Sequence, residues 1–194
     1  MRSLGVIFLA DVVGYSKMMA SDEIGTLNLI RTFQKETIAP TLNKYGGTMI
    51  KSLGDGWLIE FKSASNAVNC AMAWQSISKQ QGKMSLRVGI HLGDVEHEDG
   101  PPPDVYGDTV NIAARLESIA ENGEVAISAS TYLCLDENQA KTFNNCGKQT
   151  LKNISTPVEV WSTGRLNIGS KGMTRENAKP LISIKPFVGM SDRK

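Results

Sequence analysis

Two aspartates stand where short apolar runs stop, and a carboxylate in that position is a ready ligand for a hard cation. Asp11 ends "LGVIFLA" and precedes the Gly-containing turn "VVGYS", while Asp55 lies in "GDG" between "TMIKSL" and "WLIEF". Carboxylates beside exposed backbone N–H groups can hold Mg²⁺ while the amides cradle phosphate oxygens. Each aspartate also has a plainer reading. Asp11 can cap the loop that follows it, and Asp-Gly between two apolar strands is the ordinary pair of a tight hairpin turn. Were the two strands neighbours, the carboxylates would form a shared pair suited to two divalent metals on a polyphosphate. Asn111 and Arg115 are four apart in "DTVNIAARLESIA" and project from one face of a helix, with Ile112, Leu116 and Ile119 on the apolar side. An arginine that is always charged can stabilise negative charge on phosphoryl oxygens; its alternative is a solvated surface side chain. Lys51 and Asp104, taken alone, read as solvated charges. His91 and His97 have no evident partner, and His97, in an acidic loop, is expected to be exposed.

The elements that must position these groups follow from periodicity. "LGVIFLA" is a buried strand. After Ser21 as N-cap, Ile24, Leu27, Ile30 and Phe33 recur at helical spacing, and Ile38 and Leu42 continue the stripe past a kink at Pro40 until Gly46 and Gly47 stop it. The hairpin around "GDG" comes next, then a helix over 64–79 with Ala67, Ala71, Trp74 and Ile77 on one stripe. "MSLRVGIHLGDV" is a strand, and "EHEDGPPPD" is an acidic, Pro-rich loop that should end it. Asp108 can cap a helix closed by Asn122 and Gly123. "EVAIS" is a strand, "ASTYLCL" a short helix, and two last strands flank "LKNISTP" near 148–163. The pattern is α+β: a ferredoxin-like β-α-β-β-α-β core with an extra C-terminal hairpin and helices packed on one side of the sheet.

Composition narrows the function classes. The 194 residues are 41% hydrophobic and 21% charged, enough for a real core, and exceed one average domain by about a third. Lys and Arg total 21 against 20 Asp and Glu, which argues against nucleic-acid binding through a large basic surface. The balance is uneven, however. Residues 165–194 hold seven basic and two acidic residues, leaving 14 basic against 18 acidic, a net of −4, in the first 164. Three cysteines, Cys70, Cys134 and Cys146, in no C-x-x-C spacing, suggest reduced thiols in a cytoplasmic protein with neither a disulfide framework nor a zinc site. The N-terminal apolar run is too short to span a bilayer and lacks a cleavage pattern, so a soluble chain with no membrane partner is expected.

"FLADVVGYSKMM", "YGGTMIKSLGDGWLIEF", "LRVGIHLGDV", "DVYGDTVNIAARLES" and "LKNISTPVEVW" resemble, in order and spacing, the catalytic domain of class III nucleotidyl cyclases, especially the bacterial adenylate cyclases. The resemblance covers roughly residues 4–163. It implies that Asp11 and Asp55 are the two metal-binding aspartates, with the Val12 carbonyl as a further ligand. It makes the backbone of Val13, Gly14, Tyr15 and Ser16 the phosphate-contacting loop. Lys51 and Asp104 match the pair that reads adenine, where a guanine-reading site would carry a Glu and a Cys. Asn111 matches the ribose-orienting residue, Arg115 the arginine that stabilises the pentavalent phosphorus, and Lys152 the phosphate-contacting lysine of the last hairpin. One departure is that "EHEDGPPPD" has no arginine where some members supply an extra phosphate contact.

What the resemblance implies about activity is conversion of ATP to cyclic AMP and pyrophosphate, with two divalent cations, Mg²⁺ or Mn²⁺, as cofactors. Family members pair head to tail, the metal aspartates coming from one protomer and the base-reading and transition-state residues from the other. Because this chain holds both sets, a homodimer with two equivalent in-trans sites is expected. The alternatives are a guanylate cyclase and a catalytically silent nucleotide-binding dimerisation module. The motifs start at about residue 4, so no sensor domain is expected ahead of them. Residues 1–164 are expected to form the catalytic domain. Within 165–194 a basic linker, "LNIGSKGMTRENAKP", would lead into "LISIKPFVGM", one more strand and the opening of a following, regulatory module that is cut short.

Overall fold

The structure, a computed structural model, describes residues 1–98, 100 and 104–167; the expected linker and last strand lie almost wholly outside these residues. Strand β1 (Arg2–Val12) is the centre of the molecule because Val6 through Ala10 are apolar at every position, so it can bury both of its faces. It lies antiparallel between β3 (Gly56–Phe61) and β4 (Leu86–Glu98), and β2 (Gly47–Ser52) pairs with the far side of β3. These four strands run in the order β2-β3-β1-β4 and follow the β-α-β-β-α-β outline in chain order. The sheet then extends through β6 (Val125–Ser128), parallel to β4, to β8 (Val158–Ser162) and β7 (Asn144–Gln149), while β5 (Asp104–Tyr106) pairs with the far end of β4.

Helices cover both faces of this sheet, not one as expected. Beneath one face lie α2 (Glu23–Phe33), α3 (Ala39–Tyr45) and α4 (Ala64–Gln81). There Val6, Phe8, Ala10 and Val12 meet Phe33, Trp57 and Trp74 in a fully buried aromatic cluster. Phe8 and Trp57 each stand edge-on to Trp74, with centroids 5.0 and 5.9 Å away, a preferred aromatic geometry. On the other face Ile7, Leu9 and Leu58 pack against Val110 and Ala113 of α5 (Asp108–Ile119). The physical reason is alternation: odd and even residues of β1 are equally apolar, so each face requires a cover.

Several local details differ from the expectations. The segment after β1 is not an open loop: Gly14 turns in the left-handed region at φ 73° and starts a short helix, α1 (Tyr15–Ser21). Asp22, not Ser21, caps α2, accepting from the Gly25 N–H at 2.9 Å. The irregularity at Pro40 is a π-helical turn, Gln34–Ile38, just before it. Proline has no N–H to give, and the Thr41 hydroxyl donates to the Thr37 carbonyl at 2.6 Å across the same turn. The left-handed Gly107, not Asp108, precedes α5, which ends at Ile119, short of Asn122 and Gly123. Beyond β6 come α6 (Ala129–Tyr132) and α7 (Glu137–Ala140), the latter opened by a capping box from Asp136 and Gln139 that the sequence reading did not find. Among the described residues no helix is long and apolar enough to cross a membrane, and the three cysteines are unpaired.

Candidate active site

The two aspartates are brought together by sheet register. Asp11, next to last in β1, stands opposite Gly56 on one side and Arg87 on the other. Gly56 is required there, since a Cβ would come within 2.6 Å of the Ala10 carbonyl oxygen. The hairpin loop therefore closes directly on β1, and the Val12 N–H donates to the Asp55 carbonyl at 2.8 Å. The Asp11 carboxylate also accepts from the Arg87 guanidinium, which in turn lies 3.0 Å from Glu117 Oε1 on α5. Burial pushes the Asp11 carboxyl above its ordinary pKa; Arg87 pulls it back, and the charge of Asp55 adds to the rise. Burial acts to lower the Arg87 pKa, but Glu117 and Asp11 outweigh it and hold the guanidinium charged. Two carboxylates at adjoining strand ends, the charge of one felt by the other, form an oxygen-donor set suited to Mg²⁺ or Mn²⁺. Among the described residues no group of three or more His, Cys, Asp and Glu could hold a metal ion. A cation here would complete its shell with carbonyl, phosphate or water oxygens.

Of the predicted phosphate loop, the Val13 N–H is already committed to the Ser85 carbonyl at 2.9 Å. Gly14 is the turn itself, and Tyr15 and Ser16 open α1, where first-turn N–H groups have no acceptor within the helix.

Lys51 and Asp104, 53 residues apart in sequence, meet: Lys51 Nζ is 2.5 Å from Asp104 Oδ2. A register shift in β2 between Met49 and Lys51 re-aims the lysine. Asp104 is placed by an element the sequence reading excluded. The supposed loop after β4 continues as strand through Glu98, and Glu96–Glu98 pair with β5. The Asp104 carboxylate also accepts from the Val105 N–H at 2.8 Å. Burial acts to raise its pKa, but the hydrogen bonds from Lys51, Val105 and Tyr106 leave it below the usual carboxylate value. Tyr106 is hydrogen-bonded to Glu98 and Asp104, which pushes its phenol up to about 12. Lys51 lines an apolar hollow walled by Leu9, Leu53, Leu58, Val105, Val110 and Ala114, with Asn111 also in its lining.

Arg115, one turn beyond Asn111 on α5, donates from Nε to the Lys152 carbonyl at 3.1 Å. Lys152 belongs to the loop between β7 and β8, anchored by buried Leu151 and turned by Asn153 at φ 62°. Three groupings thus result: Asp11 with Asp55, Lys51 and Asp104 beside Asn111, and Arg115 with Lys152.

The adenylate and guanylate cyclase catalytic domain matches residues 2–163 of this chain. The chain belongs to that family. It is 37% identical, over 98% of its length and 34% of the other protein's, to "Putative adenylate cyclase 3" of Rhizobium meliloti strain 1021. It spans about a third of the length of the curated relatives it matches. The crystal structure of an adenylate/guanylate cyclase/hydrolase from Silicibacter pomeroyi is 36% identical and superposes with a TM-score of 0.76, covering 84% of this chain and 96% of that one. The fold is also that of the adenylyl cyclase CyaB from P. aeruginosa, at 24% identity and a TM-score of 0.71, over 88% of this chain and 96% of that one.

The sequence reading of this cyclase domain missed Arg87, Glu117 and Tyr106. The signal for the first two was present: Arg87 interrupts an apolar strand between Leu86 and Val88, and Glu117 falls on the buried stripe of Val110 and Ala113. It also left both histidines unpartnered. His97 is not simply exposed: its Nε2 lies 2.9 Å from Glu60 Oε1. His91 Nδ1 lies 2.7 Å from the Ser128 hydroxyl.

Proposed function

We propose that this chain is an adenylate cyclase catalytic domain. It would convert ATP to cyclic AMP and pyrophosphate at two sites shared across a homodimer. The observation that carries this reading is the Lys51–Asp104 pair at the rim of an apolar hollow. The hollow suits a flat heteroaromatic ring, and the pair suits the edge of adenine. Lysine can only donate, to ring N1, and an ionised aspartate can only accept, from the 6-amino group. Guanine presents the reverse at those positions, an N–H and a carbonyl, and both would oppose these charges.

In the reaction the 3′-oxygen of the ribose bonds to the α-phosphorus, the bond to the pyrophosphate oxygen breaks, and the hydroxyl proton leaves to water or phosphate. The attack is intramolecular, so the protein has mainly to bend the nucleotide into line and stabilise developing charge. Asn111, in the lining of the hollow, orients the ribose. Arg115, its Nε fixed by the Lys152 carbonyl, presents its remaining N–H donors to the phosphoryl oxygens. The Lys152 side chain and the N–H groups opening α1 meet the outer phosphates. Asp11 and Asp55, with the Val12 carbonyl, would hold two divalent cations. Such cations, when bound, acidify the attacking hydroxyl and neutralise the leaving group. We assign the catalytic domain to residues 1–164, with the basic stretch beyond it leading towards a further module.

The direct test is production of cyclic AMP from ATP, run beside GTP with Mg²⁺ and Mn²⁺ at concentrations that favour the dimer. Absence of any cyclic product from folded protein would leave the silent nucleotide-binding module. The shared site is tested by complementation. Asp11→Ala and Arg115→Ala chains should each lose activity by about 10²-fold or more and regain it on mixing, since one of the two sites in each mixed dimer is intact. No recovery despite demonstrated mixed dimers would refute it.

A further inference from the structure

The Asp11 carboxylate is engaged twice over: in this structure it accepts from Arg87, while in the proposed reaction it serves a cation. Whatever takes Asp11 must displace a guanidinium that cannot lose its charge. Arg87 is poorly placed to go to water, with its side chain 15% exposed, and its Nε is buried without a hydrogen-bond partner. The same Nη2 that meets Asp11 lies 3.0 Å from Glu117 Oε1, and the Glu117 side chain is only 10% exposed. Glu117 is held over this spot by the backbone. Gly89, two residues along β4 from Arg87, lets α5 sit so close that a Cβ on it would come within 2.2 Å of the Ala113 oxygen and the Glu117 nitrogen. A carboxylate on the largely apolar, buried face of α5 has a clear physical consequence: the guanidinium keeps a counter-charge whether or not Asp11 is free.

We propose that Glu117 is a positioning residue, the second carboxylate to which Arg87 transfers when Asp11 turns to a divalent cation. Without Glu117 a bound cation would leave Arg87 buried and unpaired, so Arg87 would compete for Asp11 at full strength. The proposal rests on the reading of Asp11 as a metal ligand.

The test is binding of Mn²⁺ alone to the 194-residue chain, followed by the electron paramagnetic resonance signal of the free ion. Glu117→Gln keeps shape and removes charge, and should weaken Mn²⁺ binding tenfold or more. The double variant Arg87→Met/Glu117→Gln, with the competing guanidinium gone, should return to within about threefold of the wild type, a rescue no general loosening of α5 would give. If circular dichroism finds Glu117→Gln unfolded, Glu117→Asp, which retains charge but shortens the reach, should weaken binding in the same direction by a smaller factor, and unchanged binding by it overturns the proposal equally. Unchanged binding by Glu117→Gln overturns the proposal, as does equal weakening in the single and double variants. Asp11→Asn separates the two claims. If it binds Mn²⁺ like the wild type, the metal reading of Asp11 fails and the proposal with it. If it loses Mn²⁺ while Glu117→Gln binds normally, only the role of Glu117 fails.

Discussion

Gly89→Ala adds one methyl group, and its cost can be worked from the contact it would make. The new Cβ would lie 2.2 Å from both the Ala113 carbonyl oxygen and the Glu117 nitrogen, whereas ordinary van der Waals contact begins at 3.4 Å. Both obstacles are backbone atoms of α5, so no side chain can swing aside; the helix itself must rise by about 1 Å. Overpacking of this kind costs about 1–3 kcal/mol, and with rigid atoms on both sides the upper end applies. For a domain of this size about 3 kcal/mol is a fall in Tm of roughly 6–12 °C. The displaced helix carries Asn111, Arg115 and Glu117, and a shift of about 1 Å in a positioning element can cost up to ~10²-fold in rate. Calorimetry gives the first number, and cyclic nucleotide formation well below the lowered Tm gives the second. Gly82→Ala is the control: its Cβ meets nothing within 4 Å, so only the left-handed φ of 63° is penalised, by about 1–2 kcal/mol, and activity is retained. Gly89→Ala protein with a Tm within about 2 °C of wild type and full activity would refute the idea that close packing of α5 on β4 sets the site.

Replacing the base-reading pair by Lys51→Glu with Asp104→Cys should invert the nucleotide preference, lowering kcat/KM for ATP by about 10²-fold or more while raising that for GTP, as measured side by side; an unchanged ratio would remove the pair from base recognition. His91 sets an acid limit on stability. Burial lowers its pKa from 6.5 to about 4, so the unfolded chain binds the extra proton and stability is fully present above pH 6.5 and lost as pH falls towards 4. Between pH 7.5 and 5 the loss is about 2 kcal/mol, a fall of some 4–8 °C in Tm that His91→Asn should abolish.

Local signals carried much of the site. Asp11 at a strand end, Asp55 in an Asp-Gly hairpin, and Asn111 with Arg115 one turn apart are short-range patterns, and each falls on the expected element. Lys51 and Asp104 were paired only through resemblance. Their meeting depends on β5, whose three residues pair with Glu96–Glu98 at the end of β4. Acidic and proline-rich composition reads as a strand's end when the partner strand is out of view. Other misses had their signal in plain sight. A strand apolar at both odd and even positions, as Val6 to Ala10 is, already requires cover on two faces.

The buried charges are the instructive case. Arg87 and Glu117 each break an apolar pattern, and a pattern reading discards such residues as exceptions. In the fold the exceptions coincide: β4 turns Arg87 to the same face as Asp11, and α5, admitted by Gly89, brings Glu117 to the same guanidinium nitrogen. A buried charge that interrupts an apolar stripe must have an opposite charge nearby. Two such interruptions of opposite sign, on a strand and on the helix that follows it, therefore constrain the packing of those elements as firmly as an apolar contact. Here that constraint joins the helix bearing Asn111 and Arg115 to the strand end bearing Asp11. The cation-holding and the transition-state groups, proposed to serve different sites of one dimer, are thereby tied to each other through a single guanidinium.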